Sequence, residues 1–521
     1  MAIRLATREE APCLAGIIRA AFRDVAERFG LTAETAPTHP SLCTAPWIEK
    51  ALDKGAAYYV GEDGGAAWGC VALERANPDL CYLERLAVLP EFRRNGFGKA
   101  LVDHILTEAE ALGAKRVEIG IIAGHRELRD WYLRLEFRAT KTVRFQHLPF
   151  AVMFMERALS GRSVTMEISV TRSTTIGQKP RPKDAELKFG KYTTDHLFIM
   201  NYTRGRGWHE PRIVPYQTLQ LDPIAMVLHY SQQVFEGLKA YQLPDGGVAL
   251  FRPDRNIARM NASARRMVMP EVDPDLFFRA MKELILLERT WVPKAEGTSL
   301  YIRPTMIASE PSLGVRPADQ YLFYIVLCPV GAYYPEGVNP TRIFVTDKYV
   351  RAAHGGVGEA KTAGNYAASI FAATEATKLG YTQVLWLDAR ERRYVEEVGT
   401  SNIFFLINGE LITPALGGTI LPGITRDSAL QLARHWGVKV TERPVTIDEV
   451  VSGCKSGALK EMFASGTAAV ISPVGEICYK GKDYKVGDGR TGELARRLYD
   501  EITGIQYGRK EDPFGWRVRL G

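Results

Sequence analysis

The stretch Gly355-Gly-Val-Gly-Glu-Ala-Lys-Thr-Ala-Gly-Asn-Tyr-Ala-Ala-Ser369 constrains this chain more than any other, because it sets one lysine, Lys361, among glycines and alanines. Small neighbours let a ligand approach the backbone closely. Burial drives a lysine toward its neutral form, and a neutral amine is a nucleophile toward carbonyl carbon. A lone lysine in a glycine-rich loop more often points to water, so the chain around Lys361 decides its reading.

At 521 residues the chain exceeds the size at which one core keeps growing, and two or three domains are expected. The charged fraction of 24% and hydrophobic fraction of 46% are those of an ordinary globular protein. Lys+Arg 67 against Asp+Glu 60 leaves a mild +7 with no long basic run, which suits anionic cofactors and gives no reason to expect nucleic acid. The seven cysteines are scattered without a C-x-x-C, the pattern of reduced thiols rather than of a disulfide frame or a metal site. Glu9, Glu10, Asp24 and Glu27 interrupt the first thirty residues, so no secretory signal is read there. The most apolar run, Tyr321 to Tyr334, is too short to span a bilayer and reads as a buried strand. These features predict a soluble, cytoplasmic protein with no membrane or nucleic-acid partner.

From Met1 to about Leu159 the pattern mixes helix and strand. Glu9 to Phe29 has helical periodicity, Ala57–Val60 and Trp68–Glu74 flank a Glu-Asp-Gly-Gly turn as a hairpin, and Tyr82–Val88 reads as a strand. A loop with Gly96 and Gly98 then opens a helix whose stripe is Leu101, Ile105, Ala109 and Leu112, with Gly113 as its C-cap. Backbone N–H groups at such a helix start face an anion, and the helix dipole reinforces them. A phosphate suits that place.

The run Leu83-Glu-Arg-Leu-Ala-Val-Leu-Pro-Glu-Phe-Arg-Arg-Asn-Gly-Phe-Gly-Lys-Ala-Leu resembles the central motif of the GNAT superfamily of N-acetyltransferases. Arg93, Gly96 and Gly98 match that family's loop for the acetyl-CoA pyrophosphate. Asp130-Trp-Tyr-Leu-Arg-Leu-Glu-Phe137 is similar to the family's closing segment, with Glu136 where a glycine is usual. The resemblance implies that Tyr132 donates a proton to the leaving thiolate. Glu84, on the strand before the loop, is the candidate general base toward an acceptor amine.

A polar stretch rich in Thr, Gly and Pro, from Ala158 to Tyr192, reads as a connector. Met166 lies inside it.

Features beyond the connector gather around Lys361. Tyr394-Val-Glu-Glu-Val-Gly-Thr-Ser-Asn places Glu397 before a small-residue turn, where a carboxylate can face a pyridinium nitrogen and keep the ring an electron sink. Leu421-Pro-Gly-Ile-Thr turns into a helix, so the N–H groups of Ile424 and Thr425 form a phosphate cradle. Ala464-Ser-Gly-Thr-Ala-Ala469 adds the Thr467 hydroxyl and further backbone donors, and Arg259 offers a guanidinium.

Residues 166 to 521 resemble branched-chain amino acid aminotransferases of the fold-type IV pyridoxal phosphate class. The matching segments include Val234-Phe-Glu-Gly-Leu-Lys-Ala-Tyr241, Leu300-Tyr-Ile-Arg-Pro-Thr305, Glu310-Pro-Ser-Leu-Gly-Val315, Gly364-Asn-Tyr366, Glu397-Val-Gly-Thr-Ser-Asn402, Leu421-Pro-Gly-Ile-Thr425 and Ser465-Gly-Thr-Ala468. The resemblance implies that Lys361 carries pyridoxal 5'-phosphate and moves the α-proton, and that Tyr366 binds the cofactor's phenolic oxygen. Glu397 then pairs with the ring nitrogen, while Arg259, Ile424, Thr425 and Thr467 hold the phosphate. Tyr301 and the backbone at Thr467 and Ala468 would take the substrate's α-carboxylate. Phe235, Tyr241 and Tyr333 would line an apolar pocket, and Arg303 would receive the distal carboxylate of glutamate or 2-oxoglutarate. Some relatives carry a C-x-x-C after the Gly-Thr-Ala turn; here Ala468-Ala-Val-Ile-Ser-Pro473 leaves no such thiol switch.

The chain thus reads as an α/β and α+β multidomain fusion. Residues 1–159 form a GNAT-like mixed sheet with flanking helices and 160–182 a linker, followed by the small (183–336) and large (337–521) domains of a fold-type IV aminotransferase acting on amino acids and 2-oxo acids. A homodimer is implied by resemblance. The alternatives are a D-amino acid aminotransferase or aminodeoxychorismate lyase in the same fold class, a first domain that senses acyl-CoA without catalysis, and synthesis of the enzyme from Met166 alone.

Overall fold

The computed structural model describes residues 2–64, 66–93, 95–145, 148–159, 166–173, 181–331 and 339–521. The chain divides into two compact units, Met1–Met166 and Glu167–Gly521. The expected linker lies largely outside the described residues.

The first unit is one seven-stranded sheet with helices on both faces. Its strands are β1 (Ala2–Leu5), β2 (Ala57–Asp63), β3 (Ala66–Asn77), β4 (Leu80–Val88), β5 (Arg116–Ile122), β6 (Arg138–Arg144) and β7 (Ala151–Ala158), in the order β1-β2-β3-β4-β5-β7-β6. Strand alternation divides its core. Tyr58, Val60, Cys70 and Ala72 face helices α1 (Ala11–Phe29) and α2 (Ala45–Asp53), while Tyr59, Val71 and Leu73 face α3 (Phe97–Ala111). Every neighbouring pair is antiparallel except β4 with β5, which are parallel and pair only from Leu80/Arg116 to Tyr82/Glu118. Beyond that point no ladder joins the two strands, and a wedge opens between them. Helix α4 (Arg126–Arg134) follows β5. Glu136, at the position where a glycine was the expectation, adopts φ 65°. The turn therefore closes in the left-handed conformation a glycine favours, with the Phe137 N–H on the Tyr132 carbonyl at 3.1 Å.

The second unit holds two nine-stranded sheets. The first contains β8 (Ser169–Val170), β9 (His196–Thr203), β10 (Gly207–Pro215), β11 (Gln233–Phe235), β12 (Leu238–Gln242), β13 (Val248–Phe251), β14 (Ser299–Ala308) and β15 (Gln320–Val330). Helices α5 (Met226–Tyr230), α6 (Pro253–Arg266) and α7 (Pro274–Leu287) lie between its strands in sequence. The second runs from β16 (Thr341–Val345) through β17 (Gln383–Leu387), β18 (Val395–Val398), β19 (Asn402–Ile407), β20 (Glu410–Thr413), β21 (Val440–Glu442), β22 (Leu459–Gly466) and β23 (Val470–Tyr479) to β24 (Lys482–Lys485). Its helices are α8 (Ala363–Lys378), α9 (Ile424–His435), α10 (Ile447–Ser456) and α11 (Glu493–Gln506).

The expected boundary between residues 336 and 337 lies outside the described residues, but the sheets themselves part between Val330 and Thr341. The C-terminal strand β25 (Arg517–Arg519) crosses back to pair with β13 of the first sheet, a return that a simple division at residue 337 did not anticipate. One core is common to both sheets: Tyr241 and Phe251 of the first pack with Phe404, Phe463 and Ile471 of the second under Leu498 and Ile502 of α11. Among the described residues no helix is long and apolar enough to cross a membrane, and no group of three or more His, Cys, Asp or Glu could hold a metal ion.

Candidate active site

Lys361 lies just before α8 and is tied down on both sides. Its N–H donates to the Ser263 hydroxyl at 2.9 Å, its carbonyl accepts from Phe235 N at 3.0 Å, and the neighbouring Thr362 hydroxyl donates to the Gln233 carbonyl at 2.7 Å. The side chain is thereby aimed at Tyr366, in the first turn of α8, whose hydroxyl accepts from Lys361 Nζ at 2.7 Å. Phe235 sits edge-on to Tyr366, with ring centroids 4.8 Å apart, and Nζ lies 5.0 Å from the Phe235 centroid. Burial lowers the amine to about 8, and the Arg259 cation pushes it the same way. The Tyr366 phenol is raised to about 12, first by burial and then by the Glu397 carboxylate.

Asn256, Arg259 and Ser263 recur at spacings of three and four on α6, so they share one helical face. Two of them converge on Glu236, the fully buried carboxylate between β11 and β12. Arg259 donates to it through Nε (2.7 Å) and Nη2 (2.9 Å), and Asn256 Nδ2 adds a contact at 2.7 Å. Despite its burial, Glu236 is held below its ordinary pKa by the Arg259 cation. The third arm of Arg259, Nη1, donates to the Pro422 carbonyl at 3.1 Å, at the entry to α9.

That entry is a junction. Leu421 N–H donates to Glu397 Oε1 at 2.7 Å, and Asn402 Nδ2 donates to the Leu421 carbonyl at 2.9 Å. A Cβ on Gly423 would come 1.9 Å from Asn402 Oδ1, so only glycine fits there. Ile424 and Thr425 follow as the first residues of α9, with their N–H groups at the helix's positive end. Glu397, 3% exposed, pairs with Arg351 Nε at 3.1 Å. Burial raises its carboxyl to about 7 even against that cation.

On the first sheet Tyr301 and Arg303 alternate to the same face of β14, and Arg303 Nη2 donates to the Tyr301 hydroxyl at 3.0 Å. The guanidinium stacks 4.9 Å from the Phe235 centroid, and its buried Nε has no partner among the described residues. The Tyr301 hydroxyl approaches Gly237 so closely that a Cβ there would lie 1.9 Å away. Thr467 and Ala468 form the turn between β22 and β23. Tyr241 packs its ring on Tyr507, 5.0 Å between centroids, in the core shared by the two sheets. Tyr333 falls outside the described residues. Lys361, Tyr366, Phe235, Tyr301 and Arg303 are thus joined by direct contacts. Glu236, Asn256, Ser263, Arg351 and Asn402 were not singled out from sequence; for Glu236 the available signal was a charged residue inside the apolar run Val234 to Tyr241.

In the first unit Gly96 caps the start of α3 with φ 83°, a left-handed turn that leaves the first N–H groups of the helix free of intrahelical partners. Arg93 turns its guanidinium to protein partners: it pairs with Asp24 at 2.5 Å and donates to the Ala21 and Val88 carbonyls, bracing the loop against α1. Gly98 lies against the Trp131 ring. Glu84 sits on β4 where Arg85 (φ 52°) makes a bulge against β3, at the mouth of the wedge. Its side chain reaches water, yet the recess desolvates it enough to raise the carboxyl. Tyr132 is buried, and both burial and the nearby Glu84 carboxylate keep its phenol protonated.

The Glu236–Arg259 pair yields a stability prediction. Glu236→Gln keeps the shape but strands a buried guanidinium, and urea unfolding of the second unit should report a loss of about 3 to 5 kcal/mol. A loss below about 1 kcal/mol, the range of exposed pairs, would contradict the buried-pair assignment.

The amino-transferase class IV family matches residues 233–477, and the acetyltransferase (GNAT) family matches residues 20–137. Branched-chain-amino-acid transaminase 1 of Bacillus subtilis (strain 168) is 55% identical over 352 residues, covering 67% of this chain and 99% of the relative. The solved branched-chain amino acid aminotransferase of Escherichia coli superposes with a TM-score of 0.54 at 28% identity, over 63% of this chain and all of that one (100%). The enzyme of the same name from Thermobaculum terrenum, solved in its PLP (holo) form, gives 0.53 at 25% identity over 63% and 99% of the two chains. The chain belongs to the branched-chain aminotransferases of class IV, with a GNAT-family unit preceding the aminotransferase unit.

Proposed function

We propose that the second unit moves the amino group of leucine, isoleucine or valine to 2-oxoglutarate with pyridoxal 5'-phosphate, and that the first unit transfers an acetyl group from acetyl-CoA to an amine. The observation that carries the first reading is Lys361, a buried amine held near 8 and hydrogen-bonded to Tyr366. The donor set suits the cofactor. Arg259 keeps N–H groups beyond those used on Glu236 and Pro422, and with the α9 N-terminus and the Thr467 hydroxyl it forms an anion cradle for the phosphate. Glu397, already desolvated and anchored by Leu421 N–H, is the counter-charge for a protonated ring nitrogen. When bound, pyridoxal phosphate supplies the electron sink that makes the substrate's Cα proton removable.

The protein's own groups supply the rest. Lys361, whose amine burial holds near 8, would in its neutral form take the proton from the substrate's Cα and hold it for return to the same face. Tyr366 and Phe235 fix the direction from which it approaches. Tyr301 and the N–H groups of Thr467 and Ala468 hold the α-carboxylate. Phe235, Tyr241 and Tyr333 are the apolar wall for the aliphatic side chain, and the Nε of Arg303, without a partner among the described residues, is the donor for a distal carboxylate. A guanidinium stacked on aromatic faces serves both kinds of side chain, because its planar faces accept apolar contact and its edge binds anions. Leu228, Leu313 and Val315 are 59%, 56% and 85% exposed around Tyr230, whose hydroxyl donates to the Leu313 carbonyl; this apolar surface supports a homodimer. The domain limits 1–159, 183–336 and 337–521, with 160–182 between the first two, belong to the same proposal.

For the first unit, Tyr132 is the proton donor to the leaving thiolate and Glu84 the base toward the amine. The free N–H groups of α3 at Gly96 and Gly98 bind the pyrophosphate, and Arg93 holds their loop in shape.

Two outcomes test these assignments. Arg303→Met should raise KM for 2-oxoglutarate by about 10- to 100-fold while the reaction with leucine alone stays within about threefold; equal damage to both would remove Arg303 from the distal-carboxylate role. With acetyl-CoA and a panel of primary amines, free thiol should appear in the parent and fall at least about tenfold in Tyr132→Phe with CoA binding kept. CoA binding without acetyl transfer to any amine would instead make the unit an acyl-CoA sensor.

A further inference from the structure

Among the described residues, most buried arginines of the second unit are paired with a carboxylate. Arg252, Arg259, Arg351 and Arg426 each meet a carboxylate: Asp427, Glu236, Glu397 and Glu442. Lys239, in the middle of β12 and 9% exposed, does not. Its Nζ donates to the Ala468 carbonyl at 2.8 Å, and among the described residues this is its one hydrogen-bond partner. An ammonium has three N–H donors, so two remain. Burial lowers the amine to about 8, which still leaves it mostly charged at neutral pH.

The position of this charge is specific. Lys239 stands opposite Tyr301 in the antiparallel pair β12–β14, so the two side chains share a face. Phe235 stands opposite Thr305 on the same strand, two pairs further on, and Arg303 lies between them on that face. Ala468 belongs to the turn that faces this side. A cavity of about 350 Å³ borders Lys239, Tyr241 and Ala468, with room for water at the two remaining donors; Glu296 and Asp500 line it too, without a direct contact to Lys239.

We propose that Lys239 is a positioning residue for the substrate's α-carboxylate. Its ammonium pins the Thr467–Ala469 turn through the Ala468 carbonyl, so that the turn's N–H groups stay aimed at the substrate. Its charge, in direct contact with no carboxylate among the described residues, is balanced when the substrate's carboxylate docks on that turn. The inference rests on the aminotransferase reading of the site.

The test separates docking from turnover. Holoenzyme is titrated calorimetrically with 4-methylpentanoate, the carbon frame of leucine without its amine, and with the uncharged 4-methylpentanamide. Lys239→Met should weaken the carboxylate at least about tenfold and leave the amide within about twofold, with KM for leucine and its oxo acid rising while kcat stays within about threefold. Lys239→Gln, which keeps a donor but not the charge, should repeat this pattern and serves if the methionine variant does not fold. Lys239→Arg should recover most of the carboxylate affinity. Equal loss of both ligands, or of neither, overturns the proposal. A parent enzyme that does not react with leucine at all would fail the aminotransferase reading instead, a distinct result.

Discussion

The bidentate pair between Glu236 and Arg259 is the interaction on which the rest of the second unit's site depends. It joins the strand break of the first sheet to helix α6, and through the third arm of Arg259 it reaches the Pro422 carbonyl at the head of α9. The same three-residue entry, Leu421 to Gly423, receives Glu397 by one N–H and Asn402 by one carbonyl. Ring-nitrogen partner, phosphate cradle and lysine support are therefore mechanically linked. A cation left alone in such a place would cost several kcal/mol, and the pairing turns that cost into a fixed geometry with N–H groups left over for an anion.

The site is built from charges whose environments push them toward use. Lys361 is driven toward neutrality, Glu397 toward protonation despite the Arg351 cation beside it, and Tyr366 is kept protonated. Such opposed shifts in one cleft are what proton transfer near neutral pH requires. The first unit applies the same physics with fewer parts: a sheet opened at one parallel pair, a glycine-started helix at the opening, and a tyrosine and a glutamate close enough to influence each other.

Local signals in the sequence carried the parts of the fold that depend on local chemistry. Gly96 before α3 answers a left-handed backbone, while Gly423 before α9 and Gly358 near Lys361 stand where a Cβ would clash, and composition alone points to them. Glu136 is the informative deviation, since the backbone takes the left-handed turn although the residue is not glycine. Long-range pairings were not legible. Glu236 and Arg259 are 23 residues apart, Arg93 and Asp24 69, and Lys239 and Ala468 229. A charged side chain inside an apolar strand gives no hint of its partner, and Arg93 looked like a free phosphate ligand because Asp24 is distant in the chain. The return of β25 to the first sheet escaped for the same reason: three residues of strand carry no address.

The central claim is that Lys361 carries the cofactor and meets leucine. Its most direct test is the visible absorption spectrum of the purified full-length protein, supplied with pyridoxal phosphate, before and after addition of L-leucine and alongside Lys361→Ala. The account predicts a cofactor band in the parent that bleaches with leucine and is absent or altered in the variant. A parent that takes up pyridoxal phosphate but shows no such band, or a variant indistinguishable from it, would contradict the account.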